Sequence, residues 1–229
     1  MPILATLRTS ILLAFKSLPL LLLSFMTFLA FGLGNSSLFI LLTGHALIVP
    51  AITELAHLLS SGSPNIALLV SNDISQLISV PAIGEVNVFP SYWMAHISFL
   101  FGYLVGNAAA MYTQEPDLRL IQGASSDAVK TSINAKIAAR KEKALTLMIS
   151  LLVFLVLISI LRAVATGAET FAGITFAIFI LGGLGVGWYY LAQVLGATNS
   201  DIFGIALQMM APDSGATSPK TCVYTGKPS

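Results

Sequence analysis

The segment ALTLMISLLVFLVLISIL, residues 144–161, decides what kind of object this chain is. It carries no charged side chain, no Pro and no Gly. A bilayer's hydrocarbon core is crossed by roughly 20 apolar residues in a helix, so this run reads as a membrane span. Just upstream, SDAVKTSINAKIAARKEK (residues 126–143) enters it without a helix breaker. Ser126 or Asp127 can cap the free N–H groups of a first turn. Val129, Ile133, Ile137 and Ala144 recur at helical spacing, with basic side chains on the other faces. The spacing predicts one helix from about residue 127 to 161, roughly 50 Å long at 1.5 Å per residue.

Four further segments have the length and character of spans. They lie near residues 17–33, 37–59, 91–112 and 171–195, the last long enough to cross with tilt. The expected fold is all-α: a polytopic transmembrane bundle of about five spans over residues 1–198, with a basic stalk at 126–143. Residues 199–229 then form an interfacial helix and an extended tail. The basic, apolar N-terminus looks like a signal peptide but lacks a small-residue cleavage site, so it reads as an uncleaved span.

Composition supports this class. Hydrophobic residues make up 56% of the 229 and charged residues 9%, whereas a soluble domain has about 25% charged. Mean hydropathy is +0.87. The single cysteine, Cys222, excludes an intramolecular disulfide framework and a cysteine-rich metal site.

Charge placement orients the chain. Arg119, Lys130, Lys136, Arg140, Lys141 and Lys143 are six of the eleven basic residues, and the positive-inside bias puts them on the cytoplasmic side. The C-terminus, two spans later, follows. Residues 60–90 contain Asp73 and Glu85 but no Lys or Arg, as the opposite face requires. Five crossings then leave Arg8 and Lys16 outside, against the bias. Either two basic residues lose to six, or segment 37–59, with Pro50 and Glu54, is re-entrant or lies in the interface, or residues 66–83 dip into or cross the bilayer. We expect five spans with the N-terminus outside.

The third span carries a polar stripe. At 100° per residue, His96, Tyr103 and Asn107 fall within about 40° of one another. Gly102 and Gly106 form a GxxxG pair beside it, and Gly183 and Gly187 form another in the fifth span. Small residues at that spacing let helix backbones approach in lipid. The expectation is that all seven serve helix packing, the polar three by bonding across helices. Tyr92, Trp93, Trp188, Tyr189 and Tyr190 read as anchors at the membrane–water interface. Glu54 and His57 share one helical face. That spacing occurs in di-iron bundles, but those need the motif twice plus two more carboxylates, so no metal or other cofactor is expected. Glu54 and His57 remain candidates for an ion or proton path, because an intramembrane carboxylate is costly.

Outside the bilayer, the stalk's Lys130, Lys136, Arg140, Lys141 and Lys143 suit anionic lipid headgroups or an acidic protein partner. The tail APDSGATSPKTCVYTGKPS (residues 211–229) cannot bury a core. It is either slack or a peptide that orders on a partner. Residues 221–225, with Cys222 and Tyr224, are β-prone and suit strand addition.

PSYWMAHISFLFGYLVGNAAAMY, the later DIFGIALQMM and the terminal PKTCVYTGKP resemble elements of small multi-pass membrane proteins encoded by nucleocytoplasmic large DNA viruses. The likeness covers spans three and five and the tail. It implies a component of a virion's internal membrane, or of the layer tying that membrane to the capsid, and it transfers no functional residue. No nucleophile elbow, P-loop, zinc motif or dinucleotide fingerprint is present. The expected function is therefore a non-enzymatic scaffold or tether, in contact with lipid and with membrane, coat or capsid proteins and not with nucleic acid. The alternative is a small channel or transporter, with Glu54, His57, His96 and Asn107 lining a path through a homo-oligomer.

Overall fold

The structure, a computed structural model, describes residues 17–34, 36–61, 90–113, 127–166 and 171–197. Five helices fill these segments, and the described residues contain no strand. They are α1 (Leu18–Leu33), α2 (Ser36–Ser61), α3 (Tyr92–Thr113), α4 (Asp127–Thr166) and α5 (Phe171–Val194). Residues 66–83, the expected interfacial helix near 199–210, Arg8, Lys16, Arg119, Cys222 and Tyr224 lie outside the described residues.

Four helices are long and apolar enough to cross a membrane: Ser36–Ala56, Tyr92–Thr113, Asn134–Val164 and Phe171–Val194. The fifth, α1, has 16 residues, about 24 Å at 1.5 Å per residue against a core of about 30 Å. It ends on Gly34 in the left-handed conformation (φ 59°), where glycine carries no Cβ penalty. The Gly34 N–H donates to the Ala30 carbonyl, and the edge of Phe31 meets Phe39 across the turn into α2. α2 passes through Pro50 as one 26-residue helix. The proline therefore does not make it re-entrant; it removes only one backbone donor from the ladder.

α3 is the hub. It touches every other helix, and 78% of its span is buried against 33% or less for the other three. It is also the least apolar of the four, while α4 is the most apolar and the least buried. A water-soluble bundle would show the reverse. In lipid the apolar faces can point outward, so Phe28, Phe31, Leu47, Val164, Phe179 and Val194 stand exposed.

Residue pairs fix the directions. Along α3 and α4, Arg162 sits over Trp93, Phe154 stacks on Phe101 and Lys141 lies over Tyr112, so the two helices are antiparallel. α5 runs parallel to α3, because Gly182 meets Gly102 while Tyr189 meets Gly106 and Asn107. The α3–α5 contact is backbone on backbone. A Cβ on Gly102 would fall within the Gly182 carbonyl, one on Gly185 would strike the Phe99 carbonyl, and one on Gly106 would lie 3.0 Å from Tyr189 Cβ.

The expected use of Gly183 and Gly187 is corrected here: neither has anything within 4 Å of where a Cβ would be. A π-helical turn over Ala177–Leu181 leads into a face built from Gly182, Gly185, Tyr189 and Ala192, all buried. That face is turned to α3. Gly183, one residue or about 100° further round, is not.

α4 forms as one 40-residue helix, about 60 Å at 1.5 Å per residue, joining the basic segment to the apolar one. Lys130, Lys136, Lys141 and Lys143 are exposed and Arg140 is half-buried.

Candidate functional site

The polar side chains of α3 each meet another helix. Nδ1 of His96 lies 3.0 Å from Nδ1 of His45 on α2. The Tyr103 hydroxyl donates to the Ser37 carbonyl at 2.7 Å. Asn107 Nδ2 donates to the Tyr189 hydroxyl on α5 at 3.1 Å, and the Tyr189 ring meets Tyr103 edge-on with centroids 5.3 Å apart. At the start of α3 the Tyr92 hydroxyl donates to Glu54 Oε1. Trp188 ties α5 to α2, with its indole N–H donating to the Ile40 carbonyl at 2.7 Å.

Three of these bonds form rungs between α2 and α3: Ser37 with Tyr103, His45 with His96, and Glu54 with Tyr92. As the numbers rise along α2 they fall along α3, so these helices are antiparallel. One end of the bundle therefore gathers Glu54, Tyr92, Trp93 and Arg162. The other holds the start of α2, Tyr112, Lys141 and the C-terminal end of α5.

The sequence placed His96, Tyr103 and Asn107 on one face, and the structure splits that face between two partner helices. Their exposures are 8%, 0% and 3%, so any polar atom left without a partner would be costly. The expected interfacial anchors need correction. Tyr92, Trp93 and Tyr189 are buried between helices, because each finds a polar partner there: Glu54, the Arg162 guanidinium 4.8 Å above the Trp93 ring, and Asn107. Trp188 is half-buried and Tyr190 exposed. Glu54 is half-buried; the His57 side chain lies outside the described residues.

No family model, no curated protein and no solved structure matches this chain.

His45 is the residue that the sequence reading passed over. A lone histidine in an apolar run looks like an ordinary core residue, and its pairing becomes visible only when α2 is laid antiparallel against α3. Arg162 was missed similarly, being one position past the expected end of the fourth span. It is 5% exposed, with its charge over an indole face that attracts cations.

The two imidazoles are not arranged as a chelate. Their planes differ by 16° and their centroids are 5.3 Å apart, close to the Nδ1–Nδ1 distance plus two ring radii. The rings thus meet edge to edge with the two Nδ1 atoms pointing at one another. Lone pairs converging on one metal ion would meet at an angle instead. Among the described residues no group of three or more His, Cys, Asp or Glu side chains could hold a metal ion. The arrangement suits a hydrogen bond, N–H to N, between neutral rings.

Proposed function

We propose that this protein is a structural integral membrane protein that tethers its membrane to protein neighbours on one side. The observation that carries this reading is that the basic segment of α4 and the C-terminal end of α5 lie at the same end of the bundle. α4 runs from Lys141, level with Tyr112, back to Asp127, about 21 Å at 1.5 Å per residue. It bears exposed Lys130 and Lys136, with Lys143 just inside. α5 reaches the same end before the Pro-, Gly- and Ser-rich residues 211–229 begin. A basic helix, and a Pro-, Gly- and Ser-rich sequence that follows a helix ending on the same side, give a membrane protein two handles on one layer: the helix holds anionic headgroups and the tail engages protein.

The interior is consistent with a scaffold, since His96, Tyr103 and Asn107 are occupied in bonds between helices. The excess of Lys and Arg at this end supports its being the cytoplasmic side. The resemblance of residues 90–112, 201–210 and 219–228 to viral multi-pass proteins supports the internal membrane of a large DNA virus as the setting, with a coat or capsid protein as the neighbour.

Deleting residues 212–229 tests the reading. The truncated protein is expected to insert and fold normally but to lose co-purification of its protein neighbours from native membranes. Undiminished co-purification would refute the tether.

A further inference from the structure

One ring nitrogen inside the bundle takes no part in holding the helices together. His45 is 4% exposed, and its Nε2 has no hydrogen-bond partner among the described residues. Its ring is enclosed by the edge of Phe99, with centroids 5.1 Å apart, and by His96. Because the Nδ1 atoms face each other, one ring must carry its proton on Nδ1 and the other on Nε2. An orphaned N–H in an apolar setting is rarer than an orphaned acceptor. His45 is therefore the Nδ1–H tautomer, donating to His96 Nδ1, and its Nε2 is a bare lone pair held inside the membrane.

We propose that His45 and His96 form a buried proton-binding site that takes up one proton between them and not two. The proton is transferred from hydronium to His45 Nε2, forming one N–H bond and leaving water. His45 becomes an imidazolium, its Nδ1–H still donates to His96 Nδ1, and that bond becomes charge-assisted and stronger. The α2–α3 rung survives the uptake. A second proton would have to occupy His96 Nδ1, which already accepts this bond. It would set N–H against N–H in two like-charged rings whose nitrogens lie 3.0 Å apart, inside a low-dielectric interior. The second uptake therefore requires α2 and α3 to separate.

Apart from Tyr112, Lys136, Arg140, Lys141, Glu142 and Lys143 at the basic end of the bundle, the other ionisable groups of the described spans are these. On α2, Glu54 is bonded to Tyr92 of α3, whose ring centroid is 6.4 Å from that of His96. From α4, Arg162 sits over Trp93. α5 supplies Tyr189 against Tyr103, and Tyr190. α1 has no titratable side chain between Leu18 and Leu33. Glu54 is the one carboxylate in this set, and it stands nine residues along α2 from His45, about 13 Å at 1.5 Å per residue.

The test is nitrogen NMR of the full-length protein, labelled with 15N-histidine, in lipid nanodiscs, with His57→Gln introduced so that only the pair contributes. At neutral pH the expected spectrum has one Nδ1–H ring and one Nε2–H ring, with a scalar coupling between the two Nδ1 nuclei. On acidification one ring alone is expected to become imidazolium while the coupling persists. His96→Gln is expected to abolish the coupling and leave a single ring that still charges. Absence of the coupling in the intact pair would overturn the proposal. So would both rings charging together with the coupling intact, or neither ring charging before the bundle comes apart.

Discussion

Gly102 on α3 stands directly against the carbonyl of Gly182 on α5, so closely that there is no room for a Cβ between the two backbones. In lipid this closeness matters more than it would in water. The tails around the bundle are as apolar as its side chains, so helices associate by packing and hydrogen bonding instead of by the hydrophobic effect. Gly102→Val is therefore expected to push α3 from α5 and cost about 1–3 kcal/mol or more, as overpacking does. Gly183→Ala and Gly187→Ala enlarge residues that face open space and should stay within about 0.5 kcal/mol of the wild type. Unfolding in mixed micelles at rising SDS fraction reads both effects. Equal losses at all three positions would contradict the assigned α5 face.

The bond from Asn107 to Tyr189 joins the same helices five residues further along α3 and seven along α5. A double-mutant cycle with Asn107→Leu and Tyr189→Phe should give a coupling of about 0.6 kcal/mol and no more than about 1.7 kcal/mol, the range of such bonds in membrane proteins. Additive single losses would mean that the two side chains are held by packing alone.

Lipid contact makes a separate prediction. Lys130, Lys136, Lys141 and Lys143 are exposed on α4, and each basic side chain near an anionic surface contributes about 1 kcal/mol of attraction. Replacing all four by Gln is expected to reduce the number of anionic lipids retained on the protein in native mass spectrometry from mixed-lipid nanodiscs. Retention of zwitterionic lipids should be unchanged. Equal retention of anionic lipids by both proteins would show that the basic helix does not touch headgroups.

The architecture was legible because lipid imposes simple rules on sequence. The run at residues 144–161 and the breaker-free basic segment before it read as one helix, and the structure has α4 from Asp127 to Thr166. The common face of His96, Tyr103 and Asn107 followed from helical geometry. Their partners did not, because which residue of α2 or α5 lies opposite depends on how the helices are laid together. His45 was overlooked for that reason, and Gly183 and Gly187 were assigned a contact that their neighbours Gly182 and Gly185 make. Tyr92, Trp93 and Tyr189 look like interfacial anchors in any single span; only the arrival of Glu54, Arg162 and Asn107 from other positions makes burial tolerable.

The tether account is tested most directly at Cys222, the chain's single cysteine, which sits in the tail and can carry a photo-crosslinker without any substitution. After irradiation in native membranes or particles, mass spectrometry identifies what the tail touches. The account predicts one dominant adduct with a coat or capsid protein, lost when residues 212–229 are supplied in excess as a competing peptide. Adducts with lipid and with the protein itself, and none with a distinct neighbour, would contradict it.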